Sequence, residues 1–171
     1  MPTQLYFFAS IGFSLVVWGI VTARYVWPRL RHRQPADALR PLLILHSFRF
    51  EGLAFLVPGV VSPDLPAAFA HSAAYGDFIA ATLALLTLLW LSLSPRTGVA
   101  LAWIFNLWGT ADLLNAFYQG NASGLAAGQL GAAYFIPTVF VPLLLITHLV
   151  AFRILLQRAD QSVATASPRP A

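Results

Sequence analysis

Long apolar runs broken by short polar or proline-rich stretches dominate the chain. The first runs from about Leu5 to Val26 and closes on the aromatic pair Tyr25 and Trp27, with Pro28 expected to end the helix. A basic, water-exposed segment follows from Arg29 to Arg40. The second run covers residues 41–61, opening on Pro41, which suits a first helical turn, and distorted near Pro58 and Gly59. Residues 62–70 read as a turn, and the third run covers 73–93. In it Gly76, Ala80 and Ala84 are spaced by four, a small-residue stripe that lets another helix approach closely. After a tight turn at Ser94–Gly98 the fourth run covers 99–118. An uncharged Gly/Ala-rich loop leads to the fifth run, 132–156, with Pro137 and Pro142 as kink points.

Each run approaches the ~20 residues that a membrane helix needs. The pattern predicts an all-α integral membrane bundle of five transmembrane helices. It forms one domain over residues 1–157, followed by a polar, disordered tail over 158–171. No internal or inverted repeat is visible.

Composition strengthens this picture. Of 171 residues, 58% are hydrophobic and 9% charged, and the mean hydropathy is +0.73. Soluble domains carry about 25% charged residues, so there is too little polar surface for a soluble protein. Cysteine is absent, which excludes disulfides, thiol catalysis and Cys–metal sites. No positive side chain precedes the first apolar run, so that run is expected to stay as a span rather than to be cleaved as a signal.

Charge gives the orientation. All ten basic side chains are Arg. Five alternating spans put Arg24, Arg29, Arg31, Arg33, Arg40, Arg96, Arg153, Arg158 and Arg169 on one side, and Arg49 alone falls inside a span. The positive-inside rule then predicts the N-terminus outside and the C-terminus cytoplasmic, in a bacterial-type inner membrane. Because the Arg residues flank apolar spans, the high pI is read as a topology signal and not as nucleic-acid binding.

The candidate chemistry lies inside the spans. An ionisable side chain at a helix centre costs roughly 2.5–3.5 kcal/mol on insertion scales, so such groups tend to face the bundle interior. His46, Arg49, Glu51, Asp77 and Asp112 all fall there, with His148 nearer the cytoplasmic end of the fifth span. At ~1.5 Å of rise per residue, His46 and His148 share a level near the inner surface. Asp77 and Asp112 share an outer one, with Glu51 between. Trp108, Asp112 and Asn115 make a polar-aromatic stripe on the fourth span, and Tyr134, Thr138, Leu145 and His148 line another on the fifth. Asn106 adds a neutral polar group.

These faces are expected to converge on one polar pocket. Three carboxylates against one Arg leave surplus negative charge, to be offset by protons, water or a ligand. The reading favoured by the sequence is an enzyme or binder for a lipid-soluble small molecule, isoprenoid-, quinone- or epoxide-like. As an enzyme it would be an isomerase, cyclase or hydrolase. Asp77, Asp112 and Glu51 would be its acid and base and Arg49 would hold developing negative charge. Tyr134, Trp108, Asn115, Asn106, His46 and His148 would contact substrate.

The alternatives are a haem b electron carrier ligated by His46 and His148, a proton-coupled transporter, or a structural membrane subunit. A purely structural Arg–carboxylate network and a zinc site at the two His are further readings. Expected partners are membrane lipid, a hydrophobic small molecule and a second copy of the chain in a homo-oligomer, with no nucleic acid. The span number, small size and Trp and Arg content resemble the tryptophan-rich sensory proteins, which bind porphyrins and sterols. The Trp-Pro-Pro signature of that family is absent, so no residue role carries across.

Overall fold

The computed structural model describes the backbone of residues 2–166 and the side chains of residues 3–157. The first helix comprises α1 (Pro2–Val21), a π-helical turn (Thr22–Val26) and α2 (Trp27–Leu30). Then come α3 (Pro35–Ser47), a 3-10 segment (Phe48–Leu56), α4 (Ala67–Leu93) and α5 (Pro95–Ala122). A second 3-10 segment (Ala127–Tyr134) and a second π turn (Ile136–Phe140) lead into α6 (Val141–Ala166).

Three stretches are long and apolar enough to cross a membrane: Thr3–Leu30, Ala67–Leu93 and Ile136–Gln157. α3 has only 13 residues before the backbone tightens, and α5 carries Asn106, Asp112 and Asn115 along its 28.

Several boundaries differ from the sequence expectation. Pro28 does not end the first helix. The five-residue π turn ends two residues before it, so the backbone ladder is already shifted where the proline lacks its N–H. Pro142 repeats the arrangement, two residues after Ile136–Phe140. Trp18 Nε1 donates to the Val139 carbonyl of that second π turn at 3.2 Å, joining the two irregular helices. The second run begins earlier than Pro41, at Pro35, and is not one α-helix, because it turns 3-10 at Phe48. The helix expected to stop at Leu156 continues to Ala166, and residues 167–171 lie outside the described residues.

α4 and α5 form the central antiparallel pair, and the Phe48–Leu56 segment packs along α4. α1 contacts mainly α6 and the π turn before it. Only 11% of its most apolar stretch is buried, against 50% for the Ile136–Gln157 helix, so α1 presents most of its apolar surface outward.

Two apolar cores occupy opposite ends. One joins Leu39, Leu43, Leu91, Phe105 and Leu155, and the other joins Phe7, Phe55, Phe69 and Leu130. The first core is next to the Arg-rich end. There Arg40 donates to Ser92 Oγ at 3.0 Å and to the Leu91 carbonyl at 3.3 Å, and Arg153 stacks on Trp27, 4.2 Å from the ring centre. At the opposite end Gly131 adopts φ +53°, and a Cβ there would overlap the Val60 carbonyl. That contact lets Ala132 N–H reach the same carbonyl at 2.8 Å, tying the turn after the first 3-10 segment to the second.

Candidate functional site

Between the two cores lies a polar layer built around Arg49. In a 3-10 segment residues three apart are eclipsed. Arg49, Gly52 and Phe55 therefore share the buried face of Phe48–Leu56. The Arg49 side chain has no exposed surface. Its Nε donates to Asp77 Oδ1 at 2.7 Å and its Nη2 to Asp112 Oδ2 at 2.6 Å. Nη1 donates to the Gly109 carbonyl at 3.2 Å and lies 3.3 Å from His148 Nε2. Four of the five N–H donors of a guanidinium are thus engaged.

Three glycines make this possible. A Cβ at Gly52 would collide with Asp77, and one at Gly76 with Asp112. At Gly109 it would sit 2.6 Å from His148 Nε2 and 2.8 Å from Arg49 Nη1. Each charged or aromatic head thus occupies the space that a side chain on the facing backbone would otherwise fill. Ala80 and Ala84, farther along the α4 stripe, are fully buried.

The hydrogen bonds fix the tautomer of His148. Asn106 Nδ2 donates to the His148 carbonyl at 3.3 Å, which turns Asn106 Oδ1 toward His148 Nδ1 at 2.6 Å. An amide oxygen only accepts, so Nδ1 carries the hydrogen. Nε2 is then the acceptor facing the Arg49 N–H, and His148 is neutral.

His46 stacks on His148 with ring centres 4.1 Å apart, and Phe105 packs against both rings. Thr147 Oγ1 is hydrogen-bonded with His46 Nε2 at 3.0 Å and lies 2.9 Å from the Leu143 carbonyl. His46 Nδ1 is left as the one buried side-chain polar atom without a partner among the described residues.

This arrangement does not fit a haem or zinc held by the two His. Rings 4.1 Å apart leave no slot for a porphyrin between them, and both nitrogens of His148 are already engaged. Among the described residues no group of three or more His, Asp or Glu is placed to hold a metal ion.

Beyond the carboxylates, toward the end opposite the Arg cluster, a cavity of about 480 Å³ opens. Among the described residues Asp77 and Asp112 are the only charged ones in its lining. Its walls include Phe7, Phe8, Phe55, Phe69 and Phe117. Phe8 and Phe117 are also exposed, so the cavity communicates with the outside of the bundle between α1 and α5.

The remaining candidate residues lie elsewhere. Glu51 is half-buried outside the chamber; it lines a groove with Phe50 and Ala54 and, with Arg49, Gly52 and Asp77, a separate cavity of about 20 Å³. It makes no hydrogen bond or ion pair among the described residues. Trp108 is 43% exposed and is absent from the cavity lining. Asn115 donates to Ser72 Oγ at 2.8 Å on the exposed side of α5. Tyr134 packs edge-on against Phe7, with its hydroxyl 3.3 Å from Ser10 Oγ. Sequence reasoning placed Gly76 in a close-approach stripe but missed the phenylalanine walls and the matching roles of Gly52 and Gly109, whose signal is a glycine within the runs that carry Arg49 and Asp112.

Residues 6–156 match the family described as Domain of unknown function (DUF8737), and the chain belongs to that family. Neither the curated proteins nor the solved structures gave a match.

Proposed function

We propose that this DUF8737 chain is a multi-pass membrane protein that binds, and by acid/base chemistry acts on, a lipid-soluble small molecule in the phenylalanine-walled cavity. The observation that carries the reading is the floor of that cavity. Two carboxylates from adjoining helices are gripped by one sealed guanidinium beneath a largely apolar chamber, whose lining adds the neutral polar side chains Gln4 and Asn121. Asp77 and Asp112 carry two potential negative charges, and Arg49 offsets one. A proton on the pair settles the surplus, so that one carboxyl can give a proton while the other accepts one. Arg49 orients both and does not itself reach the ligand.

The same reading places the protein in a bacterial-type inner membrane, crossing five times with the N-terminus outside. α3 plus its 3-10 extension, and the polar α5, are the two crossings that hydropathy alone does not supply. The bonds from Arg40 to the end of α4 and the stacking of Arg153 on Trp27 support a shared Arg-rich end, which the positive-inside rule makes cytoplasmic. The outward apolar face of α1 suits contact with lipid.

The test is mass analysis of small molecules extracted from the purified full chain. A lipid-soluble compound is expected from the native protein, and at least tenfold less from Ala116→Phe, which fills the cavity. Equal recovery from both, or none from either, would sink the reading.

A further inference from the structure

We infer that the ligand of this cavity carries a basic nitrogen and is held as a lipophilic ammonium cation. The inference rests on the cavity being a ligand site, as proposed above, and narrows the class of molecule that it takes.

The electrostatic inventory points one way. Among the described residues the cavity lining contains two carboxylates and no cationic side chain. Arg49 cannot serve an anionic ligand, because its side chain is fully enclosed and four of its N–H groups are engaged. His148 is neutral by its hydrogen bonds, so it does not offset the second aspartate.

Each carboxylate has one oxygen on Arg49 and one without a hydrogen-bond partner among the described residues, although both side chains are about nine-tenths buried. Those second oxygens are not sealed, since the one fully enclosed orphan among the described residues is His46 Nδ1. Asp77 Oδ2 lies against the Gly52 backbone and Asp112 Oδ1 against that of Gly76, and both aspartates line the chamber; in the proposed complex a donor from the ligand is their partner.

The walls fit the same chemistry. Phenyl faces attract cations through the ring quadrupole, most strongly where water is excluded. Five phenylalanines line the same chamber as the two carboxylates, and among the described residues no Tyr or Trp joins that lining. An ammonium bearing an alkyl or aryl body would satisfy the floor with its N–H and the walls with its carbon.

Entry also follows. A neutral amine crosses lipid easily and passes between α1 and α5. On arrival the carboxyl O–H bond breaks and an N–H bond forms, leaving a carboxylate and an ammonium. An aliphatic amine is the stronger base, so transfer runs in that direction. The total charge of the site plus ligand is unchanged.

The experiment uses the full chain in phosphatidylcholine nanodiscs, with empty nanodiscs as the reference for partitioning. Equilibrium dialysis compares three radiolabelled probes: N,N-dimethyldodecylamine, its carbon isostere 2-methyltetradecane, and tetradecanoate. Saturable binding of the amine at least tenfold tighter than of the isostere is expected, with tetradecanoate weakest. Asp112→Asn should abolish that preference, and Phe117→Leu, an exposed wall position that the fold tolerates, should weaken the amine several-fold and leave the isostere unmoved.

Equal saturable binding of amine and isostere, insensitive to Asp112→Asn, overturns the cation and leaves the apolar ligand site standing. A preference for tetradecanoate does the same. No saturable binding of any probe, together with no co-purifying molecule, overturns both. Should Asp112→Asn fail to fold, the probe comparison on the native chain and Phe117→Leu still decide.

Discussion

Arg49 is the residue on which the polar layer depends. Removing one partner of a buried ionic group costs about 3–5 kcal/mol, because the partner charge is left without compensation. Arg49→Met should therefore destabilise the chain by about that amount in thermal or denaturant unfolding in detergent. Replacing Asp77 and Asp112 by Asn in the same chain should recover most of the loss. Failure to recover would mean that the guanidinium acts mainly through packing. Lysine should not substitute at position 49, since an ammonium lacks the planar fork that reaches two carboxylates at once. Glu51 is the contrasting case. It lies outside the chamber, off the Arg49 face of its 3-10 segment, so Glu51→Gln should leave ligand binding within about twofold of native while Asp112→Asn changes it tenfold or more. Parallel dialysis of the two variants checks this, and an equal loss in both would place Glu51 at the site after all.

At the scale of elements, glycine placement separates helices that touch from those that do not. Gly76 and Gly109 lie where α4 and α5 receive the heads of Asp112, Arg49 and His148. Gly76→Ala and Gly109→Ala overpack these contacts and should each cost about 1–3 kcal/mol. On α1, Gly12 and Gly19 have open space around the added methyl. Gly12→Ala and Gly19→Ala should be neutral or stabilising, by up to about 1 kcal/mol, through helix propensity. Melting curves of the four variants should fall into these two groups. A destabilised Gly12→Ala would reveal a partner on the outward face of α1. The same scale bears on Trp108. α5 buries Ala102, Phe105, Asn106, Gly109 and Leu113, and its small residues allow close approach to α4 and α6. The large indole is left on the outer side, and Asn115 with it.

For the whole molecule, the proposed five-crossing arrangement is open to a direct check, because the chain has no native cysteine. Ser94→Cys lies in the α4–α5 turn, and Ser123→Cys follows α5. In spheroplasts a membrane-impermeant maleimide should label Ser123→Cys from outside. Ser94→Cys should react only after the membrane is opened. Labelling of both from one side would mean that α5 does not cross, and would refute the five-crossing arrangement.

Sequence by itself determined the all-helical, strongly apolar character of the chain. It also determined the gathering of Arg toward one end and the list of ionisable groups inside apolar runs. Hydropathy, charge placement and helical rise are local properties, legible one residue at a time; the common level of His46 and His148 follows from rise alone, and their rings stack at 4.1 Å. Tertiary structure decided which of those groups meet. A change from 3.6 to three residues per turn at Phe48 buries Arg49 and leaves Glu51 half-buried. Glycines on facing backbones admit Asp77 and Asp112 to the same guanidinium. Phenylalanines from α1, the 3-10 segment, α4 and α5 close into one chamber above them. None of this is carried by periodicity within a single helix, because each contact depends on how closely two backbones approach, and that distance is set by the packing of the whole bundle.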